Sequence, residues 1–331
     1  MMKEPAGQGA GGLRPPHELE ERRERGFMSL ESQLLQYLFA GLTLGSIYAL
    51  IALGFVTIYN VTGIVNFAQG DFAMLGALIT VTLYQRTGLF NRVITVDLQL
   101  PLPLAIVVAV ILTTLIGVVL YVLAIRPARG ASVISLIIIT IGLSIALRGL
   151  GLIIWWTDPY PLPVFTPGPP IEIAGAVLTR QNVWVIGTML AIVIGLYLFF
   201  EHTLLGKALR ACAVNRDAAR LMGIKADQMA LFSFALGAAV SAIAGIVITP
   251  STFMAYDSGT LLSLKGFVAA IMGGLTNAPL AVVGGLLLGL VEAFGAGLLS
   301  SAYKDAFAFL TMFVLLLVWA SGLFGRRLVE A

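Results

Sequence analysis

The sequence predicts an all-α membrane protein, a polytopic bundle of about 8–9 transmembrane helices with at least one broken or re-entrant helix. Its 331 residues are 59% hydrophobic and only 11% charged, whereas soluble domains carry about 25% charged residues. The apolar residues form long runs rather than the alternating pattern of barrel strands. One of these runs, at 60–77, is interrupted by polar side chains and glycines.

The apolar runs follow a polar amino-terminal stretch. Residues 1–32 hold five basic and six acidic residues and no apolar period, which predicts a disordered amino-terminal extension. Met28 directly precedes the first run, so the stretch is either an addition ahead of the natural start or a genuine tail. Residues 33–327 are predicted to form one transmembrane domain. Its predicted segments are 34–58, 62–84, 103–124, 133–154, 183–200, 229–249, 260–276, 279–300 and 305–322.

The basic residues orient these segments. Nine Lys and Arg residues lie at 126–130, at 201–228 and in the carboxyl-terminal tail, and four lie at 85–102, 155–182, 250–259 and 301–304. Because positive residues concentrate in cytoplasmic loops, the first group is predicted to be cytoplasmic. The amino terminus then lies outside if 34–58 and 62–84 both cross, or inside if 62–84 is re-entrant. The proline-rich connection 155–182 is predicted to be an irregular outer loop.

Signatures of catalysis and metal binding are missing from the sequence. Gly206-Lys207 is followed by Ala208 and lacks the upstream glycine of a phosphate-binding loop. We therefore expect that this chain does not hydrolyse ATP and is not an enzyme. A single cysteine, Cys212, excludes an internal disulfide, and two histidines argue against a His-based metal site. We therefore expect no catalytic residue, no metal and no cofactor in this chain.

Away from the loops and the span ends, four charged residues fall within predicted spans, namely Asp71, Arg148, Lys265 and Glu292. Charges inside a membrane mark transport paths and proton relays. Two scattered carboxylates make a poor relay, which disfavours a proton-driven carrier. Arg148 and Glu292 both fall in outer half-spans, so they either pair with each other or extend to the lipid headgroups.

The interrupted run contains Asn66, Gln69, Gly70 and Asp71. Transporters break helices where the freed backbone lines the substrate path, so these four residues are predicted to lie on a substrate pathway. Asp71 is predicted to be the N-cap of a helix that ends at Tyr84. The alternative is that the amides of Asn66 and Gln69 only join helices, at about 0.6 kcal/mol per contact.

The basic connection at 201–228 contains a short predicted helix, "DAARLMGI". Asp217 suits its amino-terminal end and Gly223 its carboxyl-terminal end. Ala218, Leu221 and Met222 share one face. Such a partly apolar helix either docks into a groove of another protein or is part of an ordinary solvated loop.

From about 36 to 326 the chain resembles the LivH-type permease subunits of ABC importers for branched-chain amino acids. The resemblance rests on "GLTLGSIYALIALGFVTIYNVTGIVNFAQGDFAMLGA", "TIGLSIALRGL", "LGKALRACAVNRDAARLMGI", "FVAAIMGGLTNAPLAVVGGLLLGLVEA", "YKDAFAF" and "GLFGR". It implies that 33–327 is the permease domain of an importer in the bacterial inner membrane. The substrates implied are Leu, Ile and Val. The alternatives are the same architecture for urea or short amides, and a stand-alone secondary carrier.

The resemblance also implies partners and a coupling loop. The implied partners are two ABC ATPase subunits, a second related permease and an external solute-binding protein, with lipid around them and no nucleic acid. The loop at 205–224 resembles the coupling helix that docks into the ATPases. The residues implied in this coupling are Gly206, Arg210, Ala211, Asp217, Ala218, Leu221 and Gly223.

Overall fold

The fold is given by a computed structural model in which residues 29–89, 94–128 and 130–320 are described. Within them the chain forms eleven α-helices and two antiparallel hairpins. The helices are α1 (Leu30–Thr62), α2 (Gln69–Tyr84), α3 (Leu102–Leu120), α4 (Val133–Trp155), α5 (Arg180–His202), α6 (Leu204–Val214), α7 (Arg216–Leu221), α8 (Ala226–Thr252), α9 (Ser258–Met272), α10 (Ala278–Leu298) and α11 (Lys304–Ala320). A π-helical turn, Tyr121–Ile125, extends α3, and a 3₁₀ turn, Ser301–Tyr303, precedes α11.

Six of the described helices are long and apolar enough to cross a membrane: α1, α3 with its π turn, α4, α5, α8 and α10. Helices α2, α9 and α11 are shorter, with 16, 15 and 17 residues. The all-α membrane class is thereby confirmed, while the number of eight or nine crossings stays a prediction. The nine predicted segments coincide with these nine helices. Their ends agree to within about four residues, except at the start of α2.

Helix α1 lies at the centre of the bundle, with 78% of its apolar span buried. It packs most extensively against α10, and glycines on both helices form the contact. Gly41 and Gly45 of α1 face Gly285 and Gly289 of α10 and their neighbours, where an added Cβ would overlap the opposing backbone. Small residues four positions apart allow membrane helices to approach this closely. The sequence thus fixes α1 and α10 as a tightly joined pair.

The described helices divide into a buried core and a periphery. The apolar span of α8 is 67% buried, whereas that of α4 is 22% buried and that of α5 is 11% buried. The exposed faces of α4 and α5 carry large apolar side chains such as Ile138, Ile145, Leu190 and Ile194, as expected of faces in contact with lipid or another subunit. Buried polar side chains that could act on a substrate are therefore expected on α1, α2, α8, α9 and the helices that cover them.

Contacts at the helix ends give the direction of α1 within the bundle. We call the end of the bundle that carries α6 and α7 the cytoplasmic end, because their connection is basic, and the opposite end the outer end. Gln36, near the start of α1, exchanges hydrogen bonds with Val177 in the outer connection between α4 and α5. Asn60, near the end of α1, donates to the carbonyl of Thr276 in the cytoplasmic turn after α9. Helix α1 therefore runs from the outer end to the cytoplasmic end of the bundle, which favours the prediction that the amino terminus lies outside.

Three features differ from the sequence prediction. Residues 1–28 of the predicted disordered extension lie outside the described residues. Leu30–Ser32, the end of that predicted extension, belong to α1 instead. Ser29 caps this helix by accepting a hydrogen bond from the Ser32 backbone N–H at 3.2 Å. The outer connections contain two unpredicted hairpins, β1 (Thr87–Leu89) with β2 (Ile94–Val96) and β3 (Ile171–Ile173) with β4 (Ala176–Leu178). Helix α6 was also not predicted.

Candidate functional site

The interruption at 60–77 is a non-helical connection between α1 and α2, built from residues 63–68. Gly63 ends α1 with a φ of 69°, a left-handed conformation that glycine adopts without strain. Thr62 Oγ1 accepts a hydrogen bond from the backbone N–H of Ile64 at 3.1 Å, and Asn66 Oδ1 accepts one from Ala68 at 3.2 Å. Local side chains therefore replace part of the hydrogen bonding that the broken helix gives up.

Gln69 joins this connection to α8. Its Nε2 donates to the carbonyl of Gly237 at 2.8 Å and to Ser241 Oγ at 2.7 Å, while its Oε1 accepts from Asn66 Nδ2 at 3.4 Å. Gly237 lies 11 residues along α8, or about 17 Å from its cytoplasmic start. Helix α2 thus begins deep inside the bundle, and Gln85 next to its far end bonds to Pro161 at the outer end.

Gly70 brings α2 against α9. Its backbone N–H donates to Ser263 Oγ at 2.6 Å, and that hydroxyl donates to the carbonyl of Phe67 at 2.8 Å. A Cβ at Gly70 would overlap the backbone of Gly259 and Ser263. Close approach, rather than a loosened helix, is therefore the physical reason for glycine at this position.

The prediction that Asp71 is the N-cap of α2 is wrong. The helix starts at Gln69 after Ala68, so Asp71 lies within its first turn, although the helix does end at Tyr84. Asp71 is fully buried, and among the described residues neither of its carboxylate oxygens accepts a close hydrogen bond, although the Ser144 hydroxyl of α4 faces it. The Asp71 carboxylate is 3.9 Å from Arg148 Nε of α4, which is beyond hydrogen-bond distance. The amino-terminal helix dipole adds some stabilisation of its charge.

The pairing of Arg148 with Glu292 is also wrong, because Glu292 belongs to a different cluster. Glu292 is fully buried and accepts from Lys265 Nζ at 2.8 Å and from the Tyr48 hydroxyl at 2.8 Å. Lys265 Nζ also lies 2.6 Å from Asp305, and Lys304 Nζ lies 3.4 Å from Glu292. This ion cluster joins α1, α9, α10 and α11. Its only signal in the sequence was opposite charges on consecutive apolar helices.

The basic cytoplasmic connection forms a pair of short helices, α6 and α7. Thr203 caps α6 by accepting from the Gly206 N–H at 2.9 Å, and Asn215 caps α7 by accepting from Ala218 at 2.9 Å. Leu209, Cys212 and Ala219 face the bundle and are buried. The opposite face exposes large apolar side chains at 83–90% of their surface, namely Leu204, Val214, Leu221 and Met222. We call these four residues the cytoplasmic apolar patch.

The predicted coupling residues occupy three kinds of position on these helices. Ala218 and Leu221 are exposed on the outward face of α7, and Ala211 is half-buried on α6. Two charges are exposed and paired: Arg210 with Glu201 at 2.6 Å, and Asp217 with Arg220 at 3.4 Å. Gly223 follows α7 with a φ of 84°, and Gly206 is buried, with no room for a side chain beside the Phe199 carbonyl.

A second apolar cluster connects the coupling region to the end of α1. Leu209, Cys212 and Ala219 pack with Ile64, just before Asn66, and with Tyr121 in the π turn of α3. Burial raises the pKa of the Cys212 thiol, although the nearby charges of Arg216 and Arg220 lower it in part. The predicted pathway residues and coupling residues therefore lie in different places, and this cluster reaches the connection through Ile64, two residues before Asn66.

Comparison with known proteins agrees with this architecture. Residues 37–316 match the family described as the permease component of the branched-chain amino acid transport system. The chain is 34% identical over 310 residues to the high-affinity branched-chain amino acid transport system permease protein BraD of Pseudomonas aeruginosa, covering 89% of this chain and 97% of BraD. It is 33% identical over 309 residues to LivH of Escherichia coli, with the same coverage of each chain. A probable LivH of Methanocaldococcus jannaschii is 30% identical over 296 residues, 85% of this chain and 89% of that protein.

These matches span almost the whole described bundle, including the broken connection before α2 and the cytoplasmic helices α6 and α7. They agree with a multi-pass transport permease of the inner membrane. The chain belongs to the family of branched-chain amino acid transport system permease components.

Proposed function

We propose that this chain is the transmembrane subunit of an ATP-driven importer that moves branched-chain amino acids into the cytoplasm, and that α6 and α7 couple it to ATPase subunits. The observation that carries the proposal is the cytoplasmic apolar patch. Its four side chains are 83–90% exposed at the basic end of the bundle, which the positive-inside rule assigns to the cytoplasm. Large apolar side chains grouped on a water-facing surface mark interaction sites.

The chemistry of this surface fits a helix that docks into a groove. Leu221 and Met222 project from the end of α7 next to the exposed charge of Arg220, and α6 carries the exposed charge of Arg210. An apolar centre with a charged rim is the usual composition of a protein interface. Both helices are anchored from behind by buried Leu209 and Ala219, so a push on the patch is transmitted to the end of α1 rather than absorbed by a loose loop.

The proposed substrate pathway passes the start of α2, where Asn66, Gln69, Gly70 and Asp71 are grouped. A helix that begins about halfway through the bundle directs its partial positive charge into the membrane interior. The relatives named above are described as branched-chain amino acid permeases, which supports Leu, Ile and Val as the substrates. One chain supplies one side of such a path.

The other functions of such an importer are assigned to further subunits. We assign ATP hydrolysis to two ATPase subunits below the cytoplasmic patch, delivery of the substrate to an external binding protein, and the other side of the path to a second, related permease. The chain itself requires no cofactor in this scheme. The weakly buried faces of α4 and α5 leave ample surface for the second permease and for lipid.

Affinity purification from native membranes in mild detergent, followed by mass spectrometry, tests the assignment. The unaltered chain should bring two kinds of partner, ABC ATPases and a second permease. The variant Ala218→Asp/Leu221→Asp should lose the ATPases, because each contact would bury an unpaired charge. Leu98→Asp, which changes an exposed leucine of an outer connection, is the matched control and should keep them. Purification of the unaltered chain alone, with solute transport intact, would refute the proposal.

A further inference from the structure

Asp71 is a buried carboxylate whose hydrogen bonding is incomplete. Neither of its oxygens accepts a close hydrogen bond among the described residues, and only the Ser144 hydroxyl and the Arg148 guanidinium of α4 face it, whereas buried carboxylates in native proteins are nearly always hydrogen-bonded. The neighbouring chain leaves the site small, because Gly259 of α9 has no room for a Cβ beside Asp71 Oδ1. A buried anion with unused acceptor positions suggests that another group completes the site during function.

Arg148 supplies the opposite charge beside this carboxylate. Its Nε lies 3.9 Å from Asp71 and 3.4 Å from the carbonyl of Ser144, and its side chain is 28% exposed. Arg148 is 15 residues into α4, about 22 Å along a helix about 35 Å long. A guanidinium exposed at that depth is costly in lipid, so the surface it reaches is better explained as a water-filled path or a subunit interface.

Helix α4 covers Asp71 through a narrow stripe of contact. Its buried residues are spaced by three or four positions and lie on one face: Thr140, Ser144, Leu147, Gly151 and Trp155. Several of them are small or polar, and their contacts include the hydrogen bond from Trp155 Nε1 to Thr82 of α2 at 2.8 Å. A helix held by one polar stripe separates from its neighbour at lower cost than one held by interlocked apolar side chains.

We propose that Asp71 and Arg148 bind the two charges of the transported amino acid, the α-ammonium group at Asp71 and the α-carboxylate at Arg148. The inference rests on the function proposed above and names the residues that recognise the substrate's shared head group. An acid and a base side by side match a zwitterion, whereas an inorganic cation would use Asp71 and leave Arg148 without a role. Displacement of α4 opens the site, and the substrate replaces the long contact between the two side chains.

The test uses the assembled importer in lipid nanodiscs without its binding protein. Ser144→Cys places a thiol one turn from Arg148, at the position whose hydroxyl faces Asp71, and the thiol keeps a weak donor there. Cys212→Ser removes the sole native cysteine. Leucine should slow labelling of that thiol by a small methanethiosulfonate reagent. The same concentration of 4-methylpentanoate, which lacks the ammonium group, should protect much less. Adding Asp71→Asn should raise the half-protecting leucine concentration about ten- to a hundred-fold, as expected for a lost charged hydrogen bond.

Two further variants keep the result independent of folding defects. Arg148→Gln should weaken protection by leucine and leave protection by 3-methylbutylamine, which lacks the carboxylate, unchanged. Asp257→Asn alters an exposed carboxylate just before α9 and should behave as the unaltered chain. All variants are compared at equal recovery of the assembled complex.

Unchanged leucine protection in Asp71→Asn would overturn the inference, and so would equal protection by sodium ions alone. ATP-driven leucine uptake with the binding protein is measured on the unaltered complex in parallel. Normal uptake without any effect of leucine on labelling would overturn the inference and leave the proposed function standing. No uptake by the unaltered complex would overturn the proposed function, and the inference with it.

Discussion

The buried ion cluster gives a sharp prediction about stability, tested by replacing Lys265 with methionine. Lys265 is 5% exposed and lies 2.8 Å from Glu292 and 2.6 Å from Asp305. Without it, the partners that fully buried Glu292 keeps among the described residues are the Tyr48 hydroxyl and Lys304, whose Nζ is 3.4 Å away. Methionine has a similar length, so the change removes the charge with little change in packing.

The magnitude follows from which partner stays buried. Removing one member of a buried pair costs about 3–5 kcal/mol, and the remaining partners of Glu292 place this case at about 3 kcal/mol. Asp305→Asn removes a partner that is 52% exposed, where solvent screens the charge and a pair contributes about 0–1 kcal/mol. The double change Lys265→Met/Glu292→Met removes both buried charges and should recover most of the loss, because no unpaired charge then remains inside.

The assay is denaturant unfolding in a mild detergent, followed by tryptophan fluorescence, with the free energy of unfolding compared among the four chains. The expected order is unaltered and Asp305→Asn close together, the double variant slightly below them, and Lys265→Met well below all three. If Lys265→Met unfolds within about 0.5 kcal/mol of the unaltered chain, or if Asp305→Asn costs as much, the cluster is not the buried network described.

Two further predictions concern packing and thiol chemistry. Gly289→Leu should prevent stable packing of α1 against α10, because a side chain there overlaps the backbone of Gly45. Gly142→Leu, on the open face of α4, should not. The yield of monodisperse protein on size-exclusion chromatography should therefore fall for Gly289→Leu and stay unchanged for Gly142→Leu. Cys212 should react with iodoacetamide at least about tenfold more slowly in the folded chain than in denaturant at pH 7.5. Its raised pKa means that the reactive thiolate forms only as pH increases above the usual range, so the folded rate should rise with pH, and a rapid, pH-independent rate would contradict the described burial.

The long apolar helices were predictable because each needs about 20 apolar residues to cross a bilayer. Hairpins of three-residue strands were not, since so few residues carry no alternating pattern. Helix α6 was missed because its apolar positions lie inside a charged loop. The start of α2 was misplaced because it is set by tertiary contacts: Gln69 bonds to α8 and Gly70 to α9, and neither partner is near in sequence.

The pairing of charges was not predictable for a related reason. A membrane helix that is apolar on all sides has no amphipathic pattern to show which face meets which neighbour. Arg148 and Glu292 were therefore matched by depth alone, while the structure places Arg148 beside Asp71 and Glu292 beside Lys265. The depth of a residue in the membrane can be counted along its helix, but the residues that it contacts on other helices cannot.

The two buried charge sites differ in how completely they are satisfied, and this difference separates a structural role from a functional one. Glu292 has a hydroxyl and two ammonium groups within 3.4 Å, and Lys265 has two carboxylates, so the cluster is neutral and closed. Asp71 is as deeply buried, yet neither of its oxygens accepts a close hydrogen bond, and the groups that face it are the Ser144 hydroxyl and the Arg148 guanidinium at 3.9 Å. Because an incompletely satisfied buried charge reduces stability, its retention requires another gain. Binding of a charged substrate at Asp71 would be such a gain. The cluster of Glu292 and Lys265 has no unpaired charge with which a substrate could interact.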